Sequence, residues 1–310
     1  MAAGLDELVS QQSFIQATEV WVPDADGVRL VPGGGFYGAH RGFAGLSAGQ
    51  GFGKGEGLPG RAWAEGRPIL VADMAGAGFP RSEAAERAGL TVAAAVPVFG
   101  GTTLKGVLVL LCGEDEERAG AVEIWRGAGD AMTLDAGFYG AAEAFAAVSR
   151  ETRFQRGQGL PGGVWGAEAP MLMRDLGGAS GFVRSAAAKA AGLTTGLGAP
   201  IPTPSGAPYV LALLSARATP IARRFELWDV APGKGGRPSV ATLTDGLCET
   251  EGPLWGKERR LQPWQGAVGR AMASGAPVAE PAPAGARHAG IVALPIHHHA
   301  EVTHVVAWFI

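Results

Sequence analysis

Two stretches of this chain carry the glycine spacing that cradles phosphates. Gly55-Glu-Gly-Leu-Pro-Gly60 and Gly157-Gln-Gly-Leu-Pro-Gly162 both fit Gly-x-Gly-x-x-Gly, in which small residues let a backbone approach a pyrophosphate at the start of a helix. That chemistry also needs a strand running straight into the glycines and an acidic residue ~20 positions on. Here a long loop precedes the glycines, and the first downstream acid on an apolar strand segment, Asp73, follows Gly60 by 13 residues. The glycines are read instead as tight turns into helices packed so closely that a side chain would collide.

Four of the six histidines fall near the end of the chain: His297, His298, His299 and His304. Alternation along a strand places His297 and His299 on one face and His298 on the other. A metal site from His297, His299 and His304 would need the hairpin to turn at Ala300 to Thr303, and no carboxylate or cysteine reinforces it. An exposed hairpin tip is the expectation, with no metal. Cys112 and Cys248 form no Cys-x-x-Cys pair and read as small apolar fillers. No nucleophile elbow, zinc-protease helix, P-loop lysine or kinase motif is present, so neither a catalytic residue nor a cofactor is expected.

Composition narrows the classes further. In 310 residues, 47% are hydrophobic and 18% charged, which gives ample material for buried cores. Twenty-six Lys and Arg against 29 Asp and Glu leave a net charge of −3, so nucleic acid is not an expected partner. The longest aliphatic runs are of strand length, far below the ~18 apolar residues of a membrane helix, and no membrane insertion is expected. Without a signal or transit pattern at the first residues, the expected location is the cytoplasm, or an organelle if a leader has been removed.

The elements that position these residues repeat. Glu19-Val-Trp21, Glu123-Ile-Trp125 and Glu226-Leu-Trp228 recur at intervals of 104 and 103 residues. The glycine motif has a third copy at Gly266-Ala-Val-Gly269, and each copy leads through a turn (EGRP, AEAP, SGAP) to an apolar strand and a final hairpin. The order strand, turn, strand, loop, helix, strand, helix, hairpin implies an α+β class: an antiparallel sheet flanked by short helices, repeated three times. The expected units are residues 1–113, 114–217 and a shortened third, 218–310.

The Gly-x-x-Gly helix starts, the Glu-Gly-x-Pro turn and Ala-Val-Pro-Val…Leu-Lys-Gly-Val-Leu-Val-Leu together resemble the GAF domain family, most strongly in the first unit and least in the third. The resemblance implies a six-stranded antiparallel sheet in each module and a small-molecule pocket between the sheet and the lid segment after the fourth strand. Phe79-Pro-Arg81-Ser82 and Phe182-Val-Arg184-Ser185 open that lid. A ligand would then meet Phe79, Arg81 and Val98 in the first module, or Phe182, Arg184 and Ile201 in the second. The two arginines suit an anionic ligand, although each could equally cap a helix or remain in solvent. The recurring rings Phe36, Tyr37, Phe138, Tyr139, Trp63 and Trp165 read either as pocket walls or as core. The cysteine patterns of the sulfoxide-reducing and bilin-binding relatives are missing, as is the asparagine-containing signature of the cyclic-nucleotide binders. The expectation is a non-catalytic GAF-repeat protein that senses a small molecule. The alternative is a scaffold or assembly subunit with degenerate pockets, and protein partners are expected in either case.

Overall fold

Strands apolar on both faces must be covered on both sides, and that requirement organises the chain. All nine residues of Val92–Gly100 are buried: Val92, Ala94, Val96 and Val98 face one hydrophobic cluster, and Ala93, Ala95 and Phe99 face another. The computed structural model describes residues 13–74, 81–113, 117–233, 238–256 and 258–310. Phe79 lies outside them.

The first sheet contains β1 (Ala17–Pro23), β2 (Arg29–Phe36), β3 (Phe52–Gly53), β4 (Ile69–Val71), β5 (Val92–Gly100) and β6 (Thr103–Cys112), with α1 (Arg41–Ala48), α2 (Gly57–Glu65) and α3 (Ser82–Arg87) between them. The second contains β7 (Ala119–Ala128), β8 (Ala131–Gly140), β9 (Arg153–Gln155), β10 (Met171–Arg174), β11 (Leu193–Ile201) and β12 (Tyr209–Ala216). Its helices are α4 (Glu143–Glu151), α5 (Gly159–Ala167) and α6 (Ser185–Ala190). The third contains β13 (Arg224–Pro232), β14 (Pro238–Cys248), β15 (Gly252–Pro253), β16 (Arg260–Leu261), β17 (Val278–Pro281), β18 (Gly290–His298) and β19 (Glu301–Phe309). Among the described residues it carries one helix, α7 (Gly266–Ser274).

Every pairing is antiparallel, and the three sheets share one strand order: β3-β2-β1-β6-β5-β4, its counterpart β9-β8-β7-β12-β11-β10, and β15-β14-β13-β19-β18-β17. Trp21, Trp125 and Trp228 occupy the same place, each just after a register shift in the first strand of its sheet. The longest helices have nine residues, so sheet dominates the architecture. Among the described residues no helix is long and apolar enough to cross a membrane. The segment between the second strand and the glycine motif, expected as a loop, forms α1 and α4 in the first two sheets.

Each sheet packs its helices on one face and shares the other. One apolar cluster draws Val96 and Leu108 from the first sheet, Leu197 and Leu211 from the second, and Leu294 and Val306 from the third. The fourth strand of each sheet lies beside the second strand of the next, β4 on β8 and β10 on β14, and β17 returns to β2. Arg67 reaches Asp135 across the first seam at 3.4 Å. Arg174 pairs with Asp245 across the second and donates to Gly246 O at 2.9 Å. At the third seam the backbones close directly: a Cβ on Gly34, at φ +148°, would lie 2.6 Å from Ala279 O. Strands β5, β11 and β18 approach one another at the centre of this ring.

Candidate functional site

The glycine motif has a packing role in all three sheets. Gly57, Gly159 and Gly266 begin helices α2, α5 and α7 at φ +56°, +60° and +64°, a region costly for other residues. One turn later, a Cβ on Gly60, Gly162 or Gly269 would collide with the carbonyl of Gly53, Gln155 or Gln262. The glycines therefore bring each helix onto its preceding short strand.

The chemistry expected of the lid arginines is taken up inside the protein. Arg81, 5% exposed, lies at the start of α3. Its Nη1 and Nη2 donate to Glu19 Oε1 and Oε2 at 2.7 and 2.8 Å. The same carboxylate accepts from Trp21 Nε1 at 3.0 Å, Ser47 Oγ at 2.7 Å and the Tyr37 hydroxyl at 3.2 Å. The guanidinium also faces the ring of Phe43, with its carbon 4.6 Å from the centroid. Helix α1 exists here to supply Phe43 and Ser47, its two buried residues.

The second sheet repeats the arrangement. Arg184, 2% exposed, donates to Glu123 Oε1 at 2.5 Å and to Oε2 at 2.9 Å. Trp125 Nε1 donates to Glu123 at 2.9 Å, and Ser149 of α4 accepts from Arg184. Phe145, Phe182, Trp125 and Phe154 surround the guanidinium at 4.6 to 5.4 Å. Burial, followed by the Glu19 and Glu123 charges, pushes the hydroxyls of Tyr37 and Tyr139 up from their ordinary value, so both stay protonated; Tyr37 donates to Glu19, whereas the Tyr139 hydroxyl is buried without a hydrogen-bond partner among the described residues.

In the third sheet the cation comes from elsewhere. Glu226 is buried, and Trp228 Nε1 donates to it at 3.0 Å. Arg259, on the connection before β16, and Arg224, on β13 itself, both reach Oε1 at 2.7 Å. Where no lid helix supplies an arginine, another segment does.

These placements divide the predicted ligand set. Phe182 lies beside Arg184 in the helix-side core. Val98 and Ile201 lie across the sheet, in the cluster the three sheets share, so they do not join Arg81 and Arg184 in one site. The rings divide likewise: Phe36 and Phe138 pack toward the shared cluster, whereas Tyr37, Tyr139, Trp63 and Trp165 pack toward the helices. Sequence reasoning used Glu19, Glu123 and Glu226 only as repeat markers. Their signal was a carboxylate inside an otherwise apolar strand, which burial forbids without a partner.

The histidine hairpin is not uniformly exposed. The turn comes at His299-Ala300, earlier than a metal site from His297, His299 and His304 would need, and His299 adopts φ +54°. His297 is buried, and burial together with the Lys105 charge pushes its imidazole down to about 4. His304 lies 3.6 Å from Asp229, away from any shared site with His297 and His299. Among the described residues no group of three or more His, Cys, Asp or Glu could hold a metal ion.

Both cysteines are buried and free. Burial pushes the Cys112 thiol up to about 12. Burial acts in the same direction on Cys248 but is outweighed by hydrogen bonds from Thr250 and Glu251 and by the Arg224 charge, so that thiol lies below its ordinary value. Cys248 is thus more polar in its surroundings than an apolar filler.

No curated protein matches the chain. Solved structures similar to part of it include the GAF domain of A. aeolicus nlh2 in an inactive state, at 17% identity over 37% of this chain and 78% of that one, TM-score 0.27. Another is NreA of Staphylococcus aureus mutated in its nitrate binding site, at 17% identity over 36% and 80%, TM-score 0.27. A third is free methionine-R-sulfoxide reductase of Neisseria meningitidis in complex with its substrate, at 18% identity over 36% and 60%, TM-score 0.26. The GAF domain family model matches residues 3–133, the amino-terminal part of the chain.

Proposed function

We propose that this is a non-catalytic protein of three GAF-like modules, each built on one of the three sheets, acting as a scaffold or assembly subunit with internally filled ligand sites. The observation that carries this reading is the bidentate pairing of Arg81 with Glu19 and of Arg184 with Glu123. An anion arriving at either arginine would have to displace a buried carboxylate and leave it uncompensated, at a cost of several kcal/mol.

A second observation supports an outward-facing role. Gly55 and Gly157 sit at φ +91° and +86° and donate from their backbone N–H to the carbonyls of Gly60 and Gly162. Trp264 makes the same bond to Gly269 O at φ +72°, yet its side chain is 65% exposed. A bulky residue held in a strained conformation with most of its surface exposed fits an anchor for a protein partner.

The family match favours a second reading, small-molecule regulation. A groove of about 640 Å³ beside α1 and α3, lined by His40, Phe43, Leu46 and Arg87, offers space for it. Thermal-shift titration of the purified chain with inorganic and carboxylate anions decides between the two. The scaffold reading expects no shift that Arg81→Lys or Arg184→Lys removes, together with a stoichiometric complex in a native extract that Trp264→Gly weakens. Saturable stabilisation of roughly 2.7 kcal/mol at about 100 times the dissociation constant, lost in either arginine variant, would overturn it.

A further inference from the structure

The central strands β5, β11 and β18 end in hairpin tips of unequal length. Two are short turns, Gly101-Thr102 and His299-Ala300, while residues 202–208 form a longer loop, Pro-Thr-Pro-Ser-Gly-Ala-Pro. The two short tips are joined, with Gly101 N–H donating to His299 O. Between the long tip and the histidine tip lies a cavity of about 380 Å³, within the size range of small-molecule sites, which favour seams of this kind.

Much of the cavity wall is flat and apolar. Trp165 and Tyr209 contribute rings, and Pro200, Pro202 and Pro208 contribute rigid edges. The Arg156 guanidinium stands 5.3 Å from the Trp165 ring and is neutralised by Glu168 at 2.9 Å. The formal charges on the walls therefore cancel. His297, another wall residue, is 4% exposed and is held neutral by burial and by Lys105.

One buried polar atom on these walls lacks a partner among the described residues. His297 Nδ1 is buried without a hydrogen bond. Tyr209, 4% exposed, is a further wall residue and brings a phenol to the cavity. A buried polar atom is rarely left so, and one on a wall shared with the Tyr209 ring calls for a ligand that brings a hydrogen-bonding group of its own.

We infer that the seam between the second and third sheets binds an uncharged planar aromatic molecule bearing a hydroxyl or carbonyl oxygen. The rings and prolines sandwich its plane, and its oxygen meets Tyr209 and His297. An anionic analogue is disfavoured, because the Arg156 guanidinium on the wall is already paired with Glu168. This inference stands on the seam geometry and is independent of the scaffold reading.

The test uses the full chain with 2-naphthol, its uncharged apolar analogue naphthalene and its charged analogue 2-naphthoate, followed by calorimetry and by backbone amide shifts. Binding of 2-naphthol is expected, with shifts concentrated in residues 156–168, 197–211 and 294–300. Tyr209→Phe, checked for native circular dichroism, should weaken 2-naphthol roughly fivefold, the effect of one lost hydrogen bond, and leave naphthalene unchanged. The inference is overturned if none of the three probes binds the folded chain, if 2-naphthoate binds as tightly as 2-naphthol, if the shifts map elsewhere, or if Tyr209→Phe leaves 2-naphthol affinity intact.

Discussion

Removing Arg184 should be among the most damaging single changes in the chain. The Arg184 and Glu123 side chains are both fully buried, so Arg184→Ala strands a carboxylate among Trp125, Phe145, Phe154 and Phe182. Losing one partner of such a pair costs about 3–5 kcal/mol, a large share of the ~5–15 kcal/mol typical of a folded domain. Glu123→Ala should cost a similar amount, since it strands the guanidinium and also frees the Trp125 N–H. The double variant removes both charges and should cost less than the two losses together, by at least about 2 kcal/mol of coupling. In the third sheet, Arg259→Ala should cost under about 1 kcal/mol, because Glu226 keeps Arg224 and the Arg259 side chain is 44% exposed. Urea unfolding followed by circular dichroism and tryptophan fluorescence measures all four variants. A loss below about 1 kcal/mol for Arg184→Ala, or equal losses for Arg184→Ala and Arg259→Ala, would refute the argument that burial sets the cost.

Two further outcomes follow from the same physics. Because His297 is pushed down to about 4 while an unfolded histidine titrates near ~6.5, the unfolded chain takes up a proton first as pH falls. Stability is fully present above ~6.5 and lost between there and about 4, by up to about 3 kcal/mol; His297→Gln should flatten that slope in urea midpoints measured across the window. Trp264→Gly should raise stability by about 1 kcal/mol through relief of the left-handed conformation, and an unchanged or lower melting temperature would contradict the strain argument.

The repeat was legible because each sheet reuses the same solutions at the same points. A Trp follows a strand bulge, and a glycine stands where the helix start meets the preceding strand. The helices α1 and α4 were harder to see. Arg41–Ala48 contains two glycines and buries only Phe43 and Ser47, so its local preference is weak and its position is decided by Glu19. The face assignment of Val98 and Ile201 was not readable at all. Strands buried on both sides lose the alternation that separates inside from outside, and only the packing of three sheets on one another says which side is which. The pairings of Arg81 with Glu19 and Arg184 with Glu123 span 62 and 61 residues. Each partner was visible alone, but nothing local joined them.

The third sheet shows which requirement came first. It has no lid arginine in the place of Arg81 and Arg184, yet its Glu226 still accepts from Trp228 and is still neutralised, now by Arg259 and Arg224. If the arginines served a ligand, the shortened lid would have released Glu226 from any need for a cation. Instead the carboxylate keeps its counter-charge by a different route. The buried carboxylate anchors the bulged tryptophan in the first strand, and the positive charge follows from burying it. What distinguishes the three sheets is therefore how exposed that cation is: sealed in the second, nearly so in the first, and open to solvent through Arg259 in the third. The third sheet is accordingly where the pair can be broken at least cost, and the strained, exposed Trp264 lies between its strands β16 and β17.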